Sequence, residues 1–159
     1  VKVLGLDPGT AATGWGIVVF ESGRLALDSC GVWRPPAGLP LPGRLAFLFE
    51  SASRLLEKSR PDAVSVETVF AGKNAASAVT LAHARGALLL AAARGSLPVF
   101  EYEPRLVKKA LVGYGAAEKT QVRAMVLSLL ARQRSRVPLD AADALAVAVC
   151  HVHAPRERC

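Results

Sequence analysis

Cysteine is scarce in this chain, with three among 159 residues, at Cys30, Cys150 and Cys159. The number is odd, the spacings are wide and no short-spaced pair occurs. A disulfide framework or a zinc ribbon is therefore not expected, and a reducing compartment fits. Long apolar runs are also missing. None approaches the roughly 18 unbroken residues of a membrane-spanning helix, and the amino end lacks a basic-then-apolar leader, so a cytoplasmic protein is expected. There is no internal repeat and no linker long enough to divide domains. A single domain over residues 1–153 follows, with a tail at 154–159. Acidic residues are in the minority, 13 Asp+Glu against 20 Lys+Arg, for a formal net charge of +7. That excess favours an acidic partner, most commonly nucleic acid, although a merely soluble basic protein would show the same balance.

Hydrophobic residues make up 52% of the chain and charged residues 21%, the balance of a folded domain. Residues 2–7 and 14–20 read as strands joined by the turn Pro8-Gly9-Thr10-Ala11-Ala12-Thr13, with Gly16 weakening the second. A third strand over 24–32 completes an antiparallel meander, and the Pro- and Gly-rich stretch 34–40 is a loop. From Leu41 the apolar period lengthens to that of a helix, closed by Pro61. A strand at 63–67 precedes a small-residue helix at about 77–94. Its Ala82, Ala84, Gly86, Ala87, Ala91, Ala92 and Ala93 imply close approach to a neighbour, either the core or a second copy, with the core preferred. A fifth strand at 97–102 and helices at 104–112, 118–131 and 139–152 follow. The order predicts an α/β fold with a five-stranded mixed sheet flanked by helices.

Four acids stand where apolar elements begin or end. Asp7 closes the first strand, Glu67 closes the fourth, and Asp140 and Asp143 open the last helix. If the first and fourth strands are parallel neighbours, both of their acids leave one end of the sheet, where open α/β folds bind ligands. Asp140 and Asp143, three residues apart, are expected to face the same way. A helix cap or a favourable first-turn charge explains Asp140 equally well, but it explains Asp143 less well. Like-charged oxygens brought together suit a divalent cation such as Mg²⁺ or Mn²⁺, and four such donors can hold two ions roughly 4 Å apart. Carboxylates that hold metal, within a basic protein, are the equipment of an enzyme that cuts a polyanion. The run Cys150-His151-Val152-His153 superficially resembles a ligand cluster, but its histidines lie two apart on a helix and point to different sides.

The segment Gly5-Leu6-Asp7-Pro8-Gly9…Gly14-Trp15-Gly16 resembles the opening of the RuvC family of Holliday-junction resolvases. Val66-Glu67-Thr68-Val69-Phe70…Lys73-Asn74, Ala84-Arg85-Gly86, Val99-Phe100-Glu101-Tyr102 with Val107-Lys108, Glu118-Lys119…Gln121-Val122 and Asp140-Ala-Ala-Asp143 follow in the family's order. The resemblance implies an RNase H-like fold, a homodimer, and two Mg²⁺ or Mn²⁺ ions per subunit held by Asp7, Glu67, Asp140 and Asp143. It further implies a crossover junction endodeoxyribonuclease that resolves four-way DNA junctions, acting alongside a branch-migration motor complex. Phe70, an aromatic beside a polar turn, either folds back onto the helix or stacks on an unpaired base, and the resemblance supports stacking; Lys73 and Asn74 either contact phosphate or keep the loop soluble.

Arg105, Lys108, Lys109, Lys119 and Arg123 form a dense basic region that a solvated helix face would explain equally well. The resemblance moves Lys108 and Lys119 towards catalysis beside the acids, and gives Arg85 a part in guiding DNA or bracing the dimer. Two other classes remain open on residues alone. One is an ATP-binding phosphotransfer domain whose Asp7-Pro8-Gly9 turn wraps phosphates; the other is a DNA-binding protein that does not cut.

Overall fold

The computed structural model describes residues 1–68, 75–130 and 137–154. Strand β1 (Lys2–Asp7) alternates between two hydrophobic layers, as a strand buried on both faces must. Val3 joins one cluster of buried residues, while Leu4 and Leu6 join the other. Asp7 has the parity of Val3 and Gly5, so the chain's first acid belongs to the Val3 face.

The sheet has the order β3-β2-β1-β4-β5. Strands β2 (Thr13–Glu21) and β3 (Arg24–Trp33) run antiparallel to their neighbours and complete the expected meander. Strands β4 (Ala63–Glu67) and β5 (Val99–Tyr102) continue the sheet in parallel with β1. Helices α1 (Leu41–Ser59) and α2 (Ala75–Arg94) cover the Leu4/Leu6 face. Helices α3 (Pro104–Val112), α4 (Lys119–Leu129) and α5 (Leu139–His153) cover the other face. This is the mixed, helix-flanked sheet of the RNase H-like class.

Helix α5 lies very close to the sheet because glycine and alanine meet there. Gly5 and Gly16 are register partners on β1 and β2. A Cβ at Gly5 would stand 2.0 Å from the Ala144 carbonyl oxygen, and one at Gly16 would stand 2.5 Å from the Leu145 side chain. At Gly14 a Cβ would stand 1.9 Å from the carbonyl oxygen of Asp140. Gly16 therefore does more than weaken β2. On the helix side, Ala141, Ala144 and Ala148 are fully buried. This close fit sets the first turns of α5, with Asp140 and Asp143, against the end of the sheet.

Helix α2 is only partly absorbed by the fold. Ala84, Leu88, Ala91 and Ala92 are buried, as a core role predicts. Ala82, Gly86 and Ala93 are exposed instead, beside Val79 and Leu90, which keep 56% and 55% of their surface. Among the described residues α2 is the one helix long and apolar enough to cross a membrane. Its run is broken by Thr80, His83 and Arg85, and its buried stripe belongs to the core.

Candidate active site

The parallel register pairs Leu6 with Val66, so Asp7 and Glu67, one step further along, emerge side by side at the carboxyl ends of β1 and β4. Asp143 reaches the same place from α5. A cleft of about 90 Å³ is lined by Asp7, Glu67, Asp143, Lys108 and Lys119, backed by the apolar side chains of Val107, Val122 and Val147. Larger clefts lie elsewhere among the described residues, about 480 Å³ beside Arg60 and Arg94 and about 600 Å³ beside Thr10 and Thr80. Neither gathers acids in this way, so chemistry, not volume, selects the site.

Burial pushes the Asp7 carboxyl from its ordinary value of 3.8 up to about 7, with the charges of Asp143 and Glu67 adding to the shift and Lys119 opposing it. Asp140 raises it least. Glu67 is also raised, first by burial and then by Asp143. The Lys119 Nζ lies 3.2 Å from Asp143 Oδ2, and that carboxylate holds the lysine above its ordinary value. The cluster thus carries more negative charge than its setting favours. Three hard oxygen donors under such repulsion fit a divalent cation. Among the described residues no three acidic, histidine or cysteine side chains stand at ligand spacing.

Asp140 departs from the expected grouping. It does not line the cleft; its Oδ2 accepts from Arg34 Nη2 at 3.1 Å, and it supplies the negative charge of α5's first turn. Three residues on a helix turn it sideways from Asp143 by about a sixth of a circle, enough to face the end of β3.

The remaining basic residues are dispersed. Arg105 and Lys109 lie exposed on α3. Arg123 Nη2 donates to the Val137 carbonyl at 3.3 Å, tying α4 to the approach to α5. Arg85 is ion-paired with Glu101 of β5 and is mostly buried. Phe70, Lys73 and Asn74 lie outside the described residues. His151 meets the Tyr102 hydroxyl at 2.6 Å through Nδ1, while His153 is exposed, so the two histidines do diverge.

The turn after Asp7 is closed on itself. Gly9 N–H donates to Thr13 Oγ1 at 3.2 Å, and that hydroxyl donates to the Gly9 carbonyl at 2.7 Å. An amide used in this way is not available to cradle a nucleotide phosphate, which weighs against the ATP-binding class.

A family model described as "Crossover junction endodeoxyribonuclease RuvC" matches residues 3–151. The chain belongs to the RuvC family. A relative of that description from Syntrophomonas wolfei is 48% identical over 156 residues, covering 98% of this chain and 91% of the relative. One from Maricaulis maris is 50% identical over 153 residues, covering 96% and 91%. Thermus thermophilus RuvC, solved in complex with a Holliday junction substrate, superposes with a TM-score of 0.89 at 33% identity, covering 96% of this chain and 93% of that one. With family membership comes the activity, a metal-dependent, structure-selective endonuclease.

One partner of the four acids is not evident in the sequence. Arg34 stands in a loop 106 positions from Asp140, and nothing in its neighbours marks it as an acid's partner. The available signal is indirect. Arg34 sits between Trp33 and Pro35-Pro36, at the junction of a strand and a rigid loop, where a side chain can be aimed.

Proposed function

We propose that this chain is a homodimeric resolvase that cuts four-way DNA junctions by paired symmetric nicks, each leaving a 5′-phosphate and a 3′-hydroxyl. The observation that carries this reading is the gathering of Asp7, Glu67 and Asp143 with Lys108 and Lys119 in one cleft. The substrate follows from family membership and from the junction bound by the Thermus thermophilus relative.

Asp7, Glu67 and Asp143 would hold Mg²⁺ or Mn²⁺, two per subunit, with Asp140 at the margin. Bound there, the ions would lower the pKa of an attacking water and stabilise charge on the departing 3′-oxygen. The chain's own residues do the rest. Lys108 and Lys119 place ammonium groups against the scissile phosphate, where negative charge accumulates during transfer. Val107, Val122 and Val147 keep the inner wall apolar, which strengthens those charge interactions. Arg105, Lys109 and Arg123 add positive charge along α3 and α4, Lys73 and Asn74 take DNA phosphate, and Arg85, ion-paired with Glu101, braces α2 where the second copy packs. Phe70 stacks on a base left unpaired at the crossover.

A second copy packs on the open face of α2, bringing two clefts onto symmetry-related strands. Support comes from the exposed Val79, Ala82, Gly86, Leu90 and Ala93, which recur at helical spacing. The protein works in the cytoplasm, supplied with junctions by a branch-migration motor.

The deciding experiment incubates a four-way junction with and without Mg²⁺ and maps the product ends. Paired nicks with ligatable ends, only when Mg²⁺ is present, are expected. ATP turnover without cutting, or tight metal-independent binding without products, would overturn the reading.

A further inference from the structure

Arg34 is placed with unusual care for an exposed loop residue. Trp33, immediately before it, stacks on Trp15 with ring centroids 5.8 Å apart and planes 26° from parallel. Pro35 and Pro36, immediately after it, restrict the backbone to extended conformations. Trp33 pairs with Thr13 and Val32 with Gly14, the residue whose missing side chain lets the Asp140 carbonyl settle on β2. Both partners of the Arg34–Asp140 pair are thus fixed by the same corner of the sheet. The pair itself is open to water, with side-chain exposures of 63% and 42%, and such pairs are weak and easily exchanged.

The geometry points to Arg34 as a positioning residue that competes with the divalent cation for Asp140 and, once released, takes a phosphate of the substrate. This inference rests on the metal-dependent reading above. A carboxylate has two competing cations here, the guanidinium and the divalent ion. When the ion draws Asp140 towards Asp7 and Asp143, Arg34 loses its counter-charge at the rim of the cleft. The planar fork of an arginine suits a phosphate of the DNA backbone brought to the cleft for cutting. Metal loading and DNA grip would thereby reinforce each other: each removes a partner that the other must displace.

The test uses the full chain and two readouts that do not depend on turnover. First, Mn²⁺ is titrated calorimetrically into DNA-free protein. Arg34→Ala removes the competing cation and should bind Mn²⁺ roughly two- to five-fold more tightly than wild type. Second, junction affinity is measured against salt in the absence of divalent metal. Arg34→Ala alone should flatten the slope by less than one unit, because Asp140 competes with phosphate for Arg34. Asp140→Asn should steepen it, and adding Arg34→Ala to Asp140→Asn should then flatten it by about one unit. Mn²⁺ affinity unchanged by Arg34→Ala, or equal slopes for Asp140→Asn with and without Arg34, overturns the exchange. Failure of the underlying reading looks different, because wild type itself would then neither bind Mn²⁺ nor cut.

Discussion

Lys119 Nζ stands 3.2 Å from Asp143 Oδ2, so the ammonium at the start of α4 is a built-in counter-charge to the acids of the cleft. The residue keeps 83% of its side-chain surface, which makes the bond cheap to break and the lysine free to swing. A cation that offsets carboxylates at rest and can turn to a phosphate during reaction is well suited to act only in the transition state.

Lys119→Met should therefore leave folding nearly untouched, within about 0.5 kcal/mol. It should slow single-turnover cutting by about a hundredfold, on the scale of losing one electrostatic donor. Junction affinity should change little. A fall in affinity that matches the fall in rate, measured by gel shift beside single-turnover kinetics, would make Lys119 an ordinary phosphate contact.

Asp7 supplies a pH signature whose sign follows from its shift. Its carboxyl rises from 3.8 to about 7 on folding, so the folded state holds a proton that the unfolded chain releases. Its contribution to stability is complete below pH 4 and is lost as pH rises through the window from 4 to 7, at up to about 1.4 kcal/mol per pH unit. Glu67 acts in the same direction. Metal-free protein should melt lower at pH 7.5 than at pH 5, and added Mg²⁺ should recover the loss at pH 7.5. Asp7→Asn should flatten the slope and abolish cutting, while junction binding stays intact or tightens. A wild-type melting temperature that is level across the window would remove the buried-acid account.

The acids at the ends of β1 and β4 were legible because period-two patterning is a local property. Val3, Leu4 and Leu6 announce a strand, and the residue that ends it is the one freed to face a cleft. Parallel adjacency of β1 and β4 stood only as a condition in the sequence, and the register of the two strands supplies it. The placement of Asp140 was not legible, since it depends on a guanidinium from a distant loop. Nor was the use of Gly5, Gly14 and Gly16: a glycine in a strand reads as a weak point until a helix is found seated on it. Composition made α2 look like a core helix because alanine and leucine carry no mark of which face is covered.

Gly14 links the packing to the chemistry. A Cβ there meets backbone, the Asp140 carbonyl, which cannot swing aside as a side chain would. Gly14→Ala should destabilise by about 1–3 kcal/mol, lowering the melting temperature by several degrees, and push the first turn of α5 outward. Cutting should fall further than the loss of folded protein explains, because Asp140 rides on that turn and Asp143 follows directly after it. If activity per folded molecule is normal, the close fit serves stability alone. Calorimetry paired with active-site titration separates the two outcomes.

The open face of α2 makes a prediction in which one substitution has two possible signs. Among the described residues nothing outside α2's own backbone lies within 4 Å of a Cβ built at Gly86, and alanine is favoured over glycine inside a helix by about 1 kcal/mol. In an isolated subunit Gly86→Ala should therefore stabilise. If a second copy packs on that face through its small residues, the added methyl instead holds the two helices apart and weakens the dimer. Sedimentation across a dilution series should show Gly86→Ala dissociating at higher concentration than wild type, with Leu90→Glu monomeric throughout and still folded. Single nicks should then replace paired ones on a four-way junction, since a lone subunit carries one cleft. A Gly86→Ala protein that is more stable and equally dimeric would move the interface away from α2.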